Sequence, residues 1–195
     1  MPSWPGNRLS PAWHLLRTNP PPTWWTWHPA SGAIRLPAGA GLDLNVHYAN
    51  HTANTVRGEA YVNLYTVPGA QVQRVLSTLD LDNDAIFLPA HARTTVEKVF
   101  TFNAPTSVYA LTSHTHARGE RFQIRIVGGP RDGELVYENT DWEHPSIVTY
   151  ATPIVLQKGW GLKSSVIFNN TTDRIISGGL TSLDEMDIIF GYYSL

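Results

Sequence analysis

His114 and His116 stand one residue apart in the run S-H-T-H-A-R-G, and about seventy residues later Met186 stands in L-D-E-M-D-I-I-F. The chain has two methionines, and one is Met1, so Met186 is the sole internal thioether. Two imidazoles and a thioether form a donor set with a definite bias. Thioether sulfur is soft and favours copper, above all Cu(I), over zinc, magnesium or calcium. Three protein donors also leave a coordination position open, as a reactive metal needs. Taken singly, the signals are weak. A His-x-His pair on a strand is more often a polar face than a ligand pair, and a lone methionine heading an apolar strand is more often core filling.

Spacing says what must position these groups. On a strand, residues i and i+2 share a face about 7 Å apart, so His114 and His116 are expected to project together, with Thr112 beside them. Arg118-Gly119 is expected to turn the chain and leave the pair near a strand end. Met186 is expected to open the last strand, and Asp184 or Glu185 just before it could orient a ligand imidazole.

The rest of the sequence reads as β structure. Leu42–Tyr48 alternates apolar and polar residues, and further strands are expected at 59–66, 96–103, 107–116, 121–127, 133–138, 147–150, 162–169 and 186–193. Gly, Pro, Asn and Asp punctuate them at Val67-Pro68-Gly69, Gly128-Gly129-Pro130, Arg131-Asp132-Gly133, Asn169-Asn170 and Gly178-Gly179. Many short strands without a long helical period predict an all-β fold, an antiparallel jelly-roll β-sandwich. The segment Leu76–Ala92, with Asp80, Asp82 and Asp84, reads as an acidic connecting loop. A joint near Thr66–Ala70 divides the chain into a smaller unit, 1–65, and a main domain, 66–195. Residues 1–40 carry Trp4, Trp13, Trp24, Trp25 and Trp27 with Pro20-Pro21-Pro22. That cluster reads as cover for an open core edge, or as a ligand platform.

Composition removes several function classes. Hydrophobic residues make up 42% of the chain and charged residues 15%, enough to bury a core. The net charge is −2 and the basic residues form no stripe, which argues against a nucleic-acid partner. Cysteine is absent, so neither disulfides nor thiolate metal sites are available. No apolar run approaches the ~20 residues of a membrane span. Met1–Gly6 shows no charged segment leading into an apolar one, so no export signal is visible. No nucleophile elbow or phosphate-cradling loop occurs. His91 reads as loop surface, His144 as a structural histidine, and Asn50-His51-Thr52 and Asn169-Asn170-Thr171 as turns.

S-H-T-H-A-R-G and G-G-L-T-S-L-D-E-M-D-I-I-F-G-Y-Y together resemble the copper type II, ascorbate-dependent monooxygenases. That family includes the peptidylglycine α-hydroxylating and dopamine β-monooxygenases and bacterial relatives. Its pattern is H-T-H-x-x-G, then G-G-x-x-x-x-[DE]-E-M followed by a tyrosine pair. Trp142-Glu143-His144-Pro145 lies between the two motifs, where the family has a similar stretch. Upstream, Leu44-Asn45-Val46-His47-Tyr48-Ala49-Asn50 looks like its V-H-Y motif. The resemblance covers about residues 35–193.

The resemblance implies two jelly-roll domains, each holding one copper. The copper that binds O2 would take His114, His116 and Met186. The electron-supplying copper would take His47 as third ligand, with a His-His pair before it. That pair is missing: the eight histidines are His14, His28, His47, His51, His91, His114, His116 and His144, and no two are adjacent. Three explanations stand open: a truncated reading frame, a natural short form, or substitution by His14, His28 or His51. On the first two, residues 1–65 are expected to hold only the final strands of a first domain, and a companion domain or chain could supply the missing ligands. The family's peptide-carboxylate anchors fall on Thr112, Ile188 and Phe190, none of which can serve. Their types imply an apolar pocket and a small apolar substrate. Family location implies a secreted or periplasmic protein. Three functions follow as expectations: a monooxygenase using O2 and ascorbate or a similar reductant, a non-catalytic copper module for storage, delivery or sensing (or an inactive fragment), and a metal-free binding domain built on the tryptophans.

Overall fold

The computed structural model describes residues 32–37, 53–59 and 66–195. His47, Leu42–Tyr48, most of the 59–66 strand and the N-terminal tryptophans lie outside the described residues. Among those described the fold is all-β, as the sequence patterning predicts. Its strands are β1 (Gly32–Ile34), β2 (Arg74–Asp82), β3 (Phe87–Leu88), β4 (Ala92–Thr101), β5 (Thr106–His114), β6 (Gly119–Val127), β7 (Leu135–Asn139), β8 (Val148–Leu156), β9 (Gly161–Asn170), β10 (Ile176–Ser177) and β11 (Ile188–Ser194). A 3-10 turn at Gly69–Gln71 precedes β2.

Two sheets form the sandwich. One has the order β1-β2-β11-β5-β8 and the other β4-β9-β6-β7, with β10 and β3 pairing apart. Every pairing between these strands is antiparallel except β1 with β2. Period-two burial explains the core. Along β9, Leu162, Ser164, Val166, Phe168 and Asn170 all point inward, while the residues between them are half-buried. Phe122, Ile124 and Ile126 of β6 do the same, and they meet Leu79, Leu111, Ile154, Leu156 and Ile189 from the other sheet. Burying each such side chain contributes about 1.5–3 kcal/mol.

Three expectations need correction. Leu76–Ala92 is not a loop: it holds β2, which pairs with β11, then β3. Leu79-Asp80-Leu81-Asp82 alternates as a strand should, with Leu79 in the core and Asp80 exposed, so the carboxylates mark a solvated strand face. The strand expected to stop at residue 150 continues to Leu156 through Pro153. It can do so because β8 is an edge strand and its ladder with β5 shifts between the Ala110↔Thr149 and Val108↔Ile154 pairs, where proline's missing N–H costs nothing. Finally, β5 ends at His114 instead of reaching His116, and β11 begins at Ile188, two residues past Met186.

A buried polar cluster joins the sheets. The carboxylate of Asp187, fully buried, accepts from Asn83 Nδ2 at 2.8 Å and from Ser164 Oγ at 2.9 Å through one oxygen. Its other oxygen has no hydrogen-bond partner. Burial pushes this carboxyl up to about 6 against the two hydrogen bonds, and nearby Asp82 pushes the same way. The folded state thus holds a proton there that the unfolded chain releases nearer 3.8. Asp187 therefore costs the fold nothing below the unfolded value and destabilises it as pH rises towards 6. Asp187→Asn stays neutral throughout. Measured by denaturant unfolding without added metal, its stability relative to wild type should rise by on the order of 3 kcal/mol between about pH 4 and about pH 7. A flat difference would show that Asp187 ionises freely in the fold.

Candidate metal centre

The ladder between β5 and β11 brings the two distant motifs together. Ile188 pairs with His114, and Phe190 with Thr112. Asp187 reaches Ser164 on the opposite sheet, and Ile189 lies in the core, so both point into the sandwich. Alternation then turns Ile188 and Phe190 to the other face, the one that carries Thr112 and His114, with Met186 just ahead of the strand. His114, His116 and Met186 are each half-buried.

His116 reaches His114 by a different route from simple strand alternation. It starts the turn His116–Gly119, closed by the Gly119 N–H donating to the His116 carbonyl at 3.0 Å. The segment before Met186 fixes the ring. His116 Nδ1 lies 2.8 Å from the Asp184 main-chain carbonyl. A carbonyl only accepts, so Nδ1 carries the proton and Nε2 keeps its lone pair free for a metal. The Asp184 carboxylate is engaged elsewhere. It accepts from the Thr181 hydroxyl at 2.6 Å, the contact that holds it below the usual carboxylate range.

The imidazole rings stand 5.3 Å apart, centroid to centroid, at 85°. With metal–nitrogen bonds of about 2 Å, two imidazoles around one tetrahedral ion have centroids roughly 5 Å apart. The spacing suits a shared ion, and Met186 follows directly on the Asp184-Glu185 pair that contacts His116. Among the described residues no three His, Cys, Asp or Glu side chains form a metal-holding group, so a centre here depends on Met186 as third donor.

Glu185 holds the turn from beneath. Its carboxylate, fully buried, accepts the His116 N–H at 2.9 Å on one oxygen and the Arg118 N–H at 3.0 Å on the other, where Arg118 Nη1 also donates at 3.2 Å. Its main chain is pinned on the opposite side. The Glu185 N–H donates to the Ser177 carbonyl, and the Glu185 carbonyl accepts from the Gly179 N–H, each at 3.1 Å. Here the glycine pair has a reason that turn punctuation did not reveal. A Cβ on Gly178 would stand 2.8 Å from the Asp84 carbonyl oxygen, and one on Gly179 would stand 2.6 Å from the Asp184 carboxylate.

Thr112, Ile188 and Phe190 are all buried, and the Thr112 hydroxyl donates to the Ser146 carbonyl at 2.8 Å. Phe190 approaches the His114 ring, centroids 6.2 Å apart. Elsewhere, His144 is exposed beside Asp141 at 3.3 Å, and His91 beside Asp173 at 2.7 Å. Asn170 is buried and spends its amide on the carbonyls of Leu88, Pro89 and Arg174, which makes it a turn residue. His47, His14, His28 and His51 lie outside the described residues. Asp187 and Glu185 are the site-adjacent residues that sequence reasoning left without these roles. The signal for both was two carboxylates flanking the lone methionine at the mouth of an apolar strand.

No protein-family model matches this chain, and no curated protein matches it.

The His116 tautomer checks this geometry. At a pH where the ring is neutral, nitrogen NMR of the metal-free protein should show His116 protonated at Nδ1. An Nε2-protonated ring would show that the Asp184 carbonyl does not hold it.

Proposed function

We propose that the chain is a copper-dependent monooxygenase domain in which His114, His116 and Met186 hold the metal. One observation carries the reading: two motifs about seventy residues apart are brought together at one end of the β5–β11 ladder, with His116 Nδ1 bonded to the main chain two residues before the sole internal thioether. The soft sulfur selects Cu(I). Bound there, copper would supply reductive activation of O2, so that one oxygen atom enters a C–H bond and the other leaves as water. Two electrons come from ascorbate or a similar reductant, with two protons.

The chain's own part is positional. Asp184 orients the His116 ring and leaves Nε2 free for the metal. Ile188, opposite His114 in the ladder, and Phe190, whose ring approaches His114, give the surroundings an apolar character that suits a small apolar substrate. The buried Thr112 hydroxyl is already bonded to Ser146, so it offers nothing to a substrate carboxylate. A companion domain or chain would supply ligands for an electron-delivering copper, with His47 as this chain's contribution, and the family's location would make the protein secreted or periplasmic.

A second reading, a copper-binding module for storage, delivery or sensing, is favoured by one sequence fact: no adjacent histidine pair exists among the eight histidines.

Copper stoichiometry and reductant-dependent O2 uptake separate the readings. The monooxygenase predicts one tightly held copper and O2 uptake that falls about tenfold or more in Met186→Ala, since even outer-shell changes at metal sites cost 10–100-fold. Equal uptake by wild type and Met186→Ala would sink the enzyme reading. Tight copper without uptake under any reductant would establish the binding module.

A further inference from the structure

We infer that Glu185 is the positioning residue that sets the Met186 thioether within reach of the two imidazoles, so that the donor set is assembled before any metal arrives. This rests on the copper reading of His114, His116 and Met186. The β5 strand ends at His114, so the turn that follows leaves the ladder, and its N–H groups need other acceptors. Glu185 supplies them from about seventy residues away, taking the His116 N–H on one oxygen and the Arg118 N–H on the other. The same residue is locked on its far side by main-chain bonds to Ser177 and Gly179. A side chain held at one end and a backbone held at the other leave little freedom. The residue after Glu185 is Met186, and the residue before it holds the His116 ring. Both distances that define the donor set therefore run through this one position.

A carboxylate is the group that suits this role. It offers two acceptor oxygens and no donor, and it balances the charge of Arg118, whose guanidinium is largely buried against it at 3.2 Å. Glutamine has the same shape but one acceptor oxygen and an NH2 group. In Glu185→Gln, one of the two backbone N–H groups must face a donor, and Arg118 loses its counter-charge. Loss of the clamp should release Met186 from the histidine pair while the sandwich core, built by other residues, persists.

The test uses the full chain loaded with Cu(I) and read by X-ray absorption, which counts sulfur and nitrogen neighbours independently of activity. Wild type should show two nitrogen donors and one sulfur. Met186→Ala should show no sulfur. Glu185→Gln, folded by circular dichroism, should keep the nitrogens, lose the sulfur signal and bind Cu(I) about tenfold more weakly. No sulfur in wild type would overturn the copper reading itself. Sulfur and wild-type affinity retained in Glu185→Gln would overturn the role of Glu185 alone. Arg118→Gln separates the clamp from the ion pair: both backbone bonds to Glu185 survive, so sulfur should remain, and its loss would assign the effect to Arg118. If Glu185→Gln does not fold, hydrogen exchange on metal-free wild type decides. The His116 and Arg118 amides should exchange as slowly as strand amides, and exchange at the rate of open loops would overturn the inference.

Discussion

The antiparallel ladder between β5 and β11 is the constraint from which the rest of the site follows. β11 is hydrogen-bonded on both sides, to β2 and to β5, so it cannot slide without breaking two ladders at once. A slip of one residue would also carry the buried Asp187 away from Asn83 and Ser164. Register is thus fixed by this buried polar link as well as by the two ladders. Once Ile188 stands opposite His114, the segment before β11 must pass beside the segment after β5, and D-E-M meets H-T-H.

Outside the ladder the site relies on polar bonds. The turn after β5 and the stretch before β11 are irregular, and neither has a strand partner for all of its backbone groups. Glu185, Asp184 and the Gly178-Gly179 segment meet that need, and the glycines let Asp84 and Asp184 approach their backbone closely. Asp187 illustrates the cost of such an arrangement. It links Asn83 to Ser164 across the sandwich, yet one of its oxygens is left without a partner and burial favours its protonated form. Four consecutive residues, Asp184 to Asp187, thereby divide between an imidazole contact, a backbone clamp, a thioether and an intersheet link.

The chemistry that this face could host is limited by what the chain offers. With no cysteine, its only soft donor is a thioether, and a thioether carries no charge. The two imidazoles are neutral donors as well, and Glu185 is matched by Arg118. Such surroundings suit a low-charge, soft ion more than a hard divalent one.

The sequence by itself determined the class of the fold and singled out His114, His116 and Met186 as candidate donors. The strands at 121–127 and 162–169, and the lone thioether beside two carboxylates, were legible because short apolar runs between turn residues and residue chemistry are local properties. Local signals also misled: the aspartates hid the strand at Arg74–Asp82, and the strand expected at 147–150 runs on to Leu156, because solvation of one face and an edge position are not written in the residues themselves. His114 and His116 were expected to meet through strand alternation, and they meet instead across a strand end and a turn. Only the tertiary structure decided that Glu185 binds the backbone of His116 and Arg118, that Asp184 orients an imidazole through its carbonyl, and that two motifs about seventy residues apart meet at one end of a ladder. The physical reason is that each of these depends on which strand lies beside which, and strand neighbours are selected by burial of the whole sandwich.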